Sequence, residues 1–338
     1  MHKLLSSLTI ILLLSGCTTT QMQFTENNHT DSVVDANILV ITPQKQIVGT
    51  VPGTQSNQTA YNTAQDQAGL FGIFLVGMFD AIETSNDTKR MYKLVEPVNN
   101  KVSDLDFKKD LVRKLQEKCI FTSPERITVS EEVPEYEADL LRILKKLDDK
   151  PTIIISSQYS FDPTYRVFMI DTALSLWLNK TGKPAYTTST SYYSHPITPF
   201  VKKYSHTLGD VLLLQVKEKS EENIYAPNIS LWSHNRAQTY RQYYAEGIEE
   251  SANMIVNALT KKLDLESLTE NKLATYINYH IPQFNKHGFQ INNTSEGRVI
   301  QKAGNRTLLV SRNGSFSSIY SGPVLKRLKK SRTFKQYR

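Results

Sequence analysis

Apolar positions between residues 103 and 263 alternate between two rhythms, the three-to-four spacing of helices and the two-residue spacing of strands. SDLDFKKDLVRKLQEKCIF opens on a capping residue, Ser103, and sets Leu105, Leu111, Val112, Leu115 and Cys119 on one helical face. RITVSEE reads as a short strand. PEYEADLLRILKKLDD reads as a second helix, with Pro134 just before its start and Leu140, Leu141, Leu144 and Leu147 on one side. PTIIISSQYSF is a buried strand. YRVFMIDTALSLWLN, the turn KTGK and PAYTTSTSYY then form a long hairpin. After an irregular stretch, NRAQTYRQYYAEGIEESANMIVNALTKKL gives a long helix with Tyr240, Tyr244, Ile248, Ile255, Leu259 and Leu263 along one stripe. Upstream, NILVITPQKQIVGTV predicts a strand, a turn at Pro43 and a second extended piece; helical character runs from Ala68 toward Pro97. Past Leu263 the pattern predicts a short helix in TENKLATYINYH. RVIQKAG, RTLLVSR and FSSIYS follow as a small meander divided by Gly-Asn and Asn-Gly turns.

Strands alternating with helices, ending in a hairpin, predict an α/β (α+β) fold: a mixed sheet covered by helices, with a small C-terminal β-rich appendage. The expected divisions are residues 1–16 as a signal peptide and 17–35 as a flexible tether. Residues 36–263 form an α/β domain with an apolar helical insertion at about 53–100, and 264–338 a small β-rich segment with a basic tail.

LKKLDDKPTIIISSQYS and MIDTALSLWLNKTGKPAYTTST carry a resemblance of topology. Their helix-to-strand passage and strand, Thr-Gly turn and return strand are similar to the small α/β domain shared by the TolB amino-terminal domain, the curli-export lipoprotein and the lipoprotein activators of peptidoglycan synthases. The resemblance covers about residues 36–263 and implies a binding or assembly role in the envelope. The insertion at 53–100 departs from that pattern.

The first residues, MHKLLSSLTIILLLSGC, have a positive start at Lys3, an apolar stretch and small residues, which is the layout of an export signal. Leu14-Ser15-Gly16-Cys17 resembles the lipobox of bacterial lipoproteins, which implies cleavage before Cys17 and lipid on its new N-terminus. Thr18 in place of Asp after the cysteine implies the outer membrane, with the protein on its periplasmic face. The polar stretch that follows has too few apolar residues to offset its ordering entropy.

With Cys17 acylated, Cys119 is the remaining thiol of the mature chain, and its place on an amphipathic helix assigns it to packing. The whole chain carries +7, yet no Asp or Glu follows Glu296, while eleven Lys and Arg residues do. An acidic body therefore carries a basic tail. For that tail, VLKRLKKSRTFKQYR with Lys326, Arg327, Lys329 and Lys330, three readings compete: a solvated terminus, contact with anionic headgroups or glycans, and contact with acidic protein, its own body included. Nucleic acid is not expected as a partner of an exported lipoprotein.

AGLFGIFLVGMFDAI, residues 68–82, is the most apolar run beyond the signal. As a helix it would span about 22 Å, short of the roughly 30 Å hydrocarbon core. Gly69, Gly72 and Gly77 allow close backbone approach, which suits burial within the protomer first, then an oligomer or partner contact, then a membrane surface.

No catalytic pattern emerges. His195, His206, His234, His280 and His287 lack metal-ligand spacing, ISSQYS lacks the glycines of a nucleophile elbow, and GLFGIFLVG lacks the Lys of a phosphate loop. Asp162-Pro163 reads as a turn and Asp171 as an exposed strand residue. The expectation is a non-enzymatic envelope lipoprotein without cofactor or metal, an accessory or assembly factor binding envelope proteins or copies of itself. The alternative is an envelope hydrolase whose site draws on a clustered pair among His195, His206, His234 and nearby acids.

Overall fold

A computed structural model describes residues 30–42, 44, 46–47, 85–134, 137–162, 165–179, 183–197, 218–260, 273–284, 290–311 and 314–321. Cys17, Gly69, Gly72, Gly77, Lys326, Arg327, Lys329 and Lys330 lie outside these residues, as does the run 68–82.

The strands are β1 (Asn37–Ile41), β2 (Ile127–Val129), β3 (Thr152–Phe161), β4 (Phe168–Trp177), β5 (Tyr186–Tyr193), β6 (Leu273–Phe284), β7 (Gln290–Ala303), β8 (Arg306–Ser311) and β9 (Phe316–Tyr320). They form one mixed sheet in the order β2-β1-β3-β4-β5-β9-β8-β7-β6. Among the described residues the α-helices are α1 (Ser85–Asn99), α2 (Phe107–Lys118), α3 (Glu137–Lys145) and α4 (Glu218–Thr260). The fold is thus a mixed α/β fold, its sheet flanked by helices and extended by a C-terminal strand cluster. Among the described residues no helix is long and apolar enough to cross a membrane.

β1 pairs in parallel with β2 on one side and β3 on the other. The chain moves outward from β1 to β2 through α1 and α2, then back to β3 through α3. A single handedness for both crossovers places those helices on opposite faces, and the packing agrees. Leu111 and Leu115 of α2 are buried with Ile153 and Ile155 of β3, whereas Leu140 and Leu144 of α3 are buried with Leu39, Ile154 and Trp177 on the reverse side. β4 lies inside the sheet, between β3 and β5, and is buried at every position, Asp171 included.

The C-terminal strands are not a separate layer. β9 joins the edge of β5 in parallel through the pairs Thr190 with Phe316, Ser191 with Ser317 and Tyr192 with Ser318. Gly304, at φ +56, makes the turn between β7 and β8 where the Gly-Asn pair predicts one.

Several expectations are corrected. The segment read as a short helix is β6, whose Thr, Tyr and Ile favour a strand and which pairs antiparallel with β7. Asp106, not Ser103, caps α2, accepting the Lys109 N–H at 3.2 Å. Helix α1 continues through Pro97 to Asn99. The stretch read as irregular before Asn235 is helical from Glu218. Asp171 is buried and accepts a 2.7 Å hydrogen bond from the Ser191 hydroxyl across the β4–β5 pair. Within the segment read as a tether, Thr30–Val33 forms a 3₁₀ turn and Val33 enters the core. The Asp35 N–H is tied there to the Phe121 carbonyl at 2.9 Å.

Candidate functional site

Helix α4 carries a break without glycine or proline. His234 turns extended, and Asn235, Arg236 and Ala237 take φ of 46°, 55° and 58°, the left-handed region that costs a non-glycine residue about 1–2 kcal/mol. Neighbouring polar contacts hold this geometry. Arg241 clasps Asp104 with Nη1 at 2.7 Å and Nη2 at 2.5 Å, and Nη2 also reaches the Lys101 carbonyl at 2.7 Å. Lys101 Nζ donates to the Ser233 carbonyl at 2.8 Å, and Trp232 Nε1, wholly buried, donates to the Tyr165 carbonyl at 2.8 Å. The α1–α2 loop is thereby fastened to both sides of the break.

Between that loop, α2, β3 and the later part of α4 lies a pit of about 130 Å³ lined by Gln46, Ile47, Asn99, Val102, Ser103, Leu105, Phe107, Tyr159, Tyr240 and Tyr244. Gln46 and Ser103 are exposed and form the mouth. Phe107, Tyr159, Tyr240 and Tyr244 are buried and form the floor. Phe107 lies flat on Tyr159, centroids 4.5 Å apart, and meets Tyr244 edge-on at 6.2 Å. The Tyr244 hydroxyl donates to Asp110 at 2.8 Å. Gln44 acts as an extra rung of β3, its side chain accepting the Tyr159 N–H at 3.1 Å and donating to the Tyr159 carbonyl at 2.7 Å. Asn99 Nδ2 donates to the Ile47 carbonyl at 3.1 Å and fixes the wall opposite. Burial raises the pKa of Tyr159, Tyr240 and Tyr244 above the ordinary phenol value, so the floor is neutral at any physiological pH.

A second polar cluster sits where β5 meets the C-terminal strands. The Arg306 guanidinium lies 4.3 Å above the Tyr192 ring, donates from Nη1 to the Tyr193 carbonyl at 2.6 Å, and brings Nε within 2.8 Å of Glu246 Oε1 without a hydrogen bond's linear geometry. Ser318 donates to Glu250 at 2.6 Å beside it. His195 packs edge-on against Tyr320 at 4.1 Å, and burial lowers its pKa while Glu246 opposes that shift. The buried hydroxyls of Thr190, Tyr192 and Ser251 lack partners among the described residues. These groups join the two parts of the sheet.

Of the histidines, His195 therefore meets an acid, whereas His234 stands on the exposed break of α4. His206 and His287 lie outside the described residues. Asp162 is the turn residue its Pro neighbour suggests, its Oδ1 accepting the N–H groups of Arg166 and Val167 at 2.6 and 2.7 Å. Cys119 ends α2, buried, and burial pushes its thiol up to about 12, which makes it a packing residue and a poor nucleophile. Among the described residues no group of His, Cys, Asp and Glu could hold a metal ion. The pit itself escaped the sequence reading, which placed Tyr240 and Tyr244 on a core stripe. The signal was their identity: tyrosine at an inward i, i+4 pair carries two hydroxyls that need partners.

No family model, curated protein or solved structure matches the chain.

Proposed function

We propose that this chain is a non-enzymatic, lipid-anchored envelope protein, held through Cys17 at the periplasmic face of the outer membrane. It acts as an accessory or assembly factor by binding other envelope components, in secretion or surface assembly. The observation that carries the reading is the pit: about 130 Å³, with an exposed mouth, an aromatic floor and, among the described residues, no charged lining residue. Metabolite sites usually run to several hundred Å³ with convergent polar groups; this one has the size of a single side chain. The lipobox-like run at Leu14–Cys17, the polar segment after it, and the resemblance of residues 36–263 to envelope α/β domains point the same way.

The hydrolase alternative would draw on His195 and Glu246. Glu246 is already taken by Arg306, and the His195 ring is packed on Tyr320. Binding is the better-supported role.

Affinity purification of the full chain from detergent-extracted membranes tests it. A stoichiometric envelope partner or a defined homo-oligomer is expected, in the membrane fraction for the wild type and in the soluble periplasm for Cys17→Ser carrying a cleavable signal. A strictly monomeric chain without partners would overturn the proposal.

A further inference from the structure

We infer that the pit receives one neutral aromatic ring, the side chain of a Phe or Tyr on an exposed segment of a partner protein. This deepens the binding role proposed above and rests on it.

Size sets the first limit. An apolar cavity of about 150 Å³ accommodates benzene, and about 130 Å³ here leaves room for one ring and little else. Access sets the second. Among the described lining residues Gln46 and Ser103 are exposed, while the rings of Phe107, Tyr159, Tyr240 and Tyr244 lie beneath them, so a guest enters tip-first with its attachment left outside. A side chain on a backbone has that form.

Charge then decides the chemistry. Among the described residues no charged side chain lines the pit, which leaves an anion without a partner there and makes burying any charge costly. Aromatic floors also take cations, with carboxylates assisting. Here the nearby carboxylates are already engaged: Asp106 by Lys109 at 3.1 Å, Asp110 by Arg113 at 2.9 Å and by the Tyr244 hydroxyl. A neutral ring offered to stacked and edge-on rings gains the offset and T-shaped contacts that aromatic pairs prefer.

The pit is also built in advance. The stack of Phe107 on Tyr159 joins α2 to β3, the Asn99 bond to Ile47 fixes one wall, and Arg241 holds the loop that supplies Val102, Ser103 and Leu105. Little ordering remains to be done on binding.

Ligand-observed NMR titration of the full chain carries the test, with toluene, p-cresol, tetramethylammonium and a capped Gly-Phe-Gly peptide as probes. Toluene and p-cresol should saturate at roughly millimolar concentration, and the peptide should bind at least as well as toluene. Ser103→Trp, which lays a ring across the mouth from an exposed position, should weaken all three at least tenfold. Matched thermal unfolding certifies the variant. If Ser103→Trp alters the fold, nuclear Overhauser contacts from toluene to the rings of Tyr159 and Tyr240 in the unaltered chain decide instead. Absence of saturable binding, preference for tetramethylammonium, indifference to Ser103→Trp, or free rings binding while the peptide is excluded would each overturn the inference. A partner that co-purifies without any ring binding overturns this inference and leaves the broader role standing; ring binding with no partner overturns the role.

Discussion

Phe107 and Tyr159, one opening α2 and the other near the end of β3, stack with their ring planes 16° apart. This contact ties a helix to the sheet and at the same time forms the floor of the pit. Tyr159 reaches it because Gln44 completes the hydrogen bonding of its backbone beyond the end of β1. Fold and site therefore share residues here.

Phe107→Ala should consequently lower both stability and ring binding. The side chain is buried and belongs to the main core, so about 3–5 kcal/mol of unfolding free energy should be lost. Chemical denaturation measures this, and a loss below about 1 kcal/mol would mean the stack is not formed.

The break in α4 predicts an unusual gain. Arg236 is exposed at φ +55, where glycine sits without strain, so Arg236→Gly should stabilise the protein by about 1 kcal/mol and raise Tm. Were the segment a continuous right-handed helix, the same change would cost about 1 kcal/mol. The sign of the shift separates the two geometries.

Gly247 predicts the opposite departure from helix propensity. A Cβ there would stand 2.6 Å from Ile170 Cδ1 and 2.9 Å from a ring carbon of Tyr192, both side chains being fully buried. Gly247→Ala should destabilise by about 1–3 kcal/mol despite alanine's better propensity, as read from the midpoint of denaturation.

Acid should weaken the fold through its surface pairs. The Arg126 and Asn37 hydrogen bonds hold Asp148 down to about 2; Lys150 lowers Asp35, Arg241 lowers Asp104, Lys146 lowers Glu132 and Lys118 lowers Glu249. Each carboxylate binds its proton more readily when unfolded. Their contribution is whole above the ordinary carboxylate range near 4 and is lost as pH falls toward about 2. Burial of His195 adds in the same sense below 6.5. Stability measured from pH 7 down to 2 should decline, most steeply below about 4, and Asp148→Asn should flatten part of the decline.

The sheet and its covering helices were legible because their apolar spacing is regular. Leu111 and Leu115 point inward as their period requires, and the hairpin of β4 and β5 follows its turn. Where tertiary packing overrides local signals, the reading failed. Asp171 looks like a surface residue until Ser191 is brought opposite it, and β6 reads as a helix until β7 pairs with it along its length. The left-handed turn at Asn235–Ala237 carries no glycine to announce it, since Arg241 and Lys101 supply its support from a distance. The pit was hidden for a related reason. Its floor comes from a helix start, a strand end and an inward stripe, each of which reads as ordinary core when taken alone.

Site-specific photocrosslinking in intact cells, with the crosslinking residue in place of Gln46 at the mouth of the pit, tests the central claim most directly. The account predicts a discrete adduct with one envelope protein, found in the membrane fraction and lost when Ser103→Trp closes the mouth. No adduct with any envelope protein, or an adduct that Ser103→Trp leaves unchanged, would contradict it.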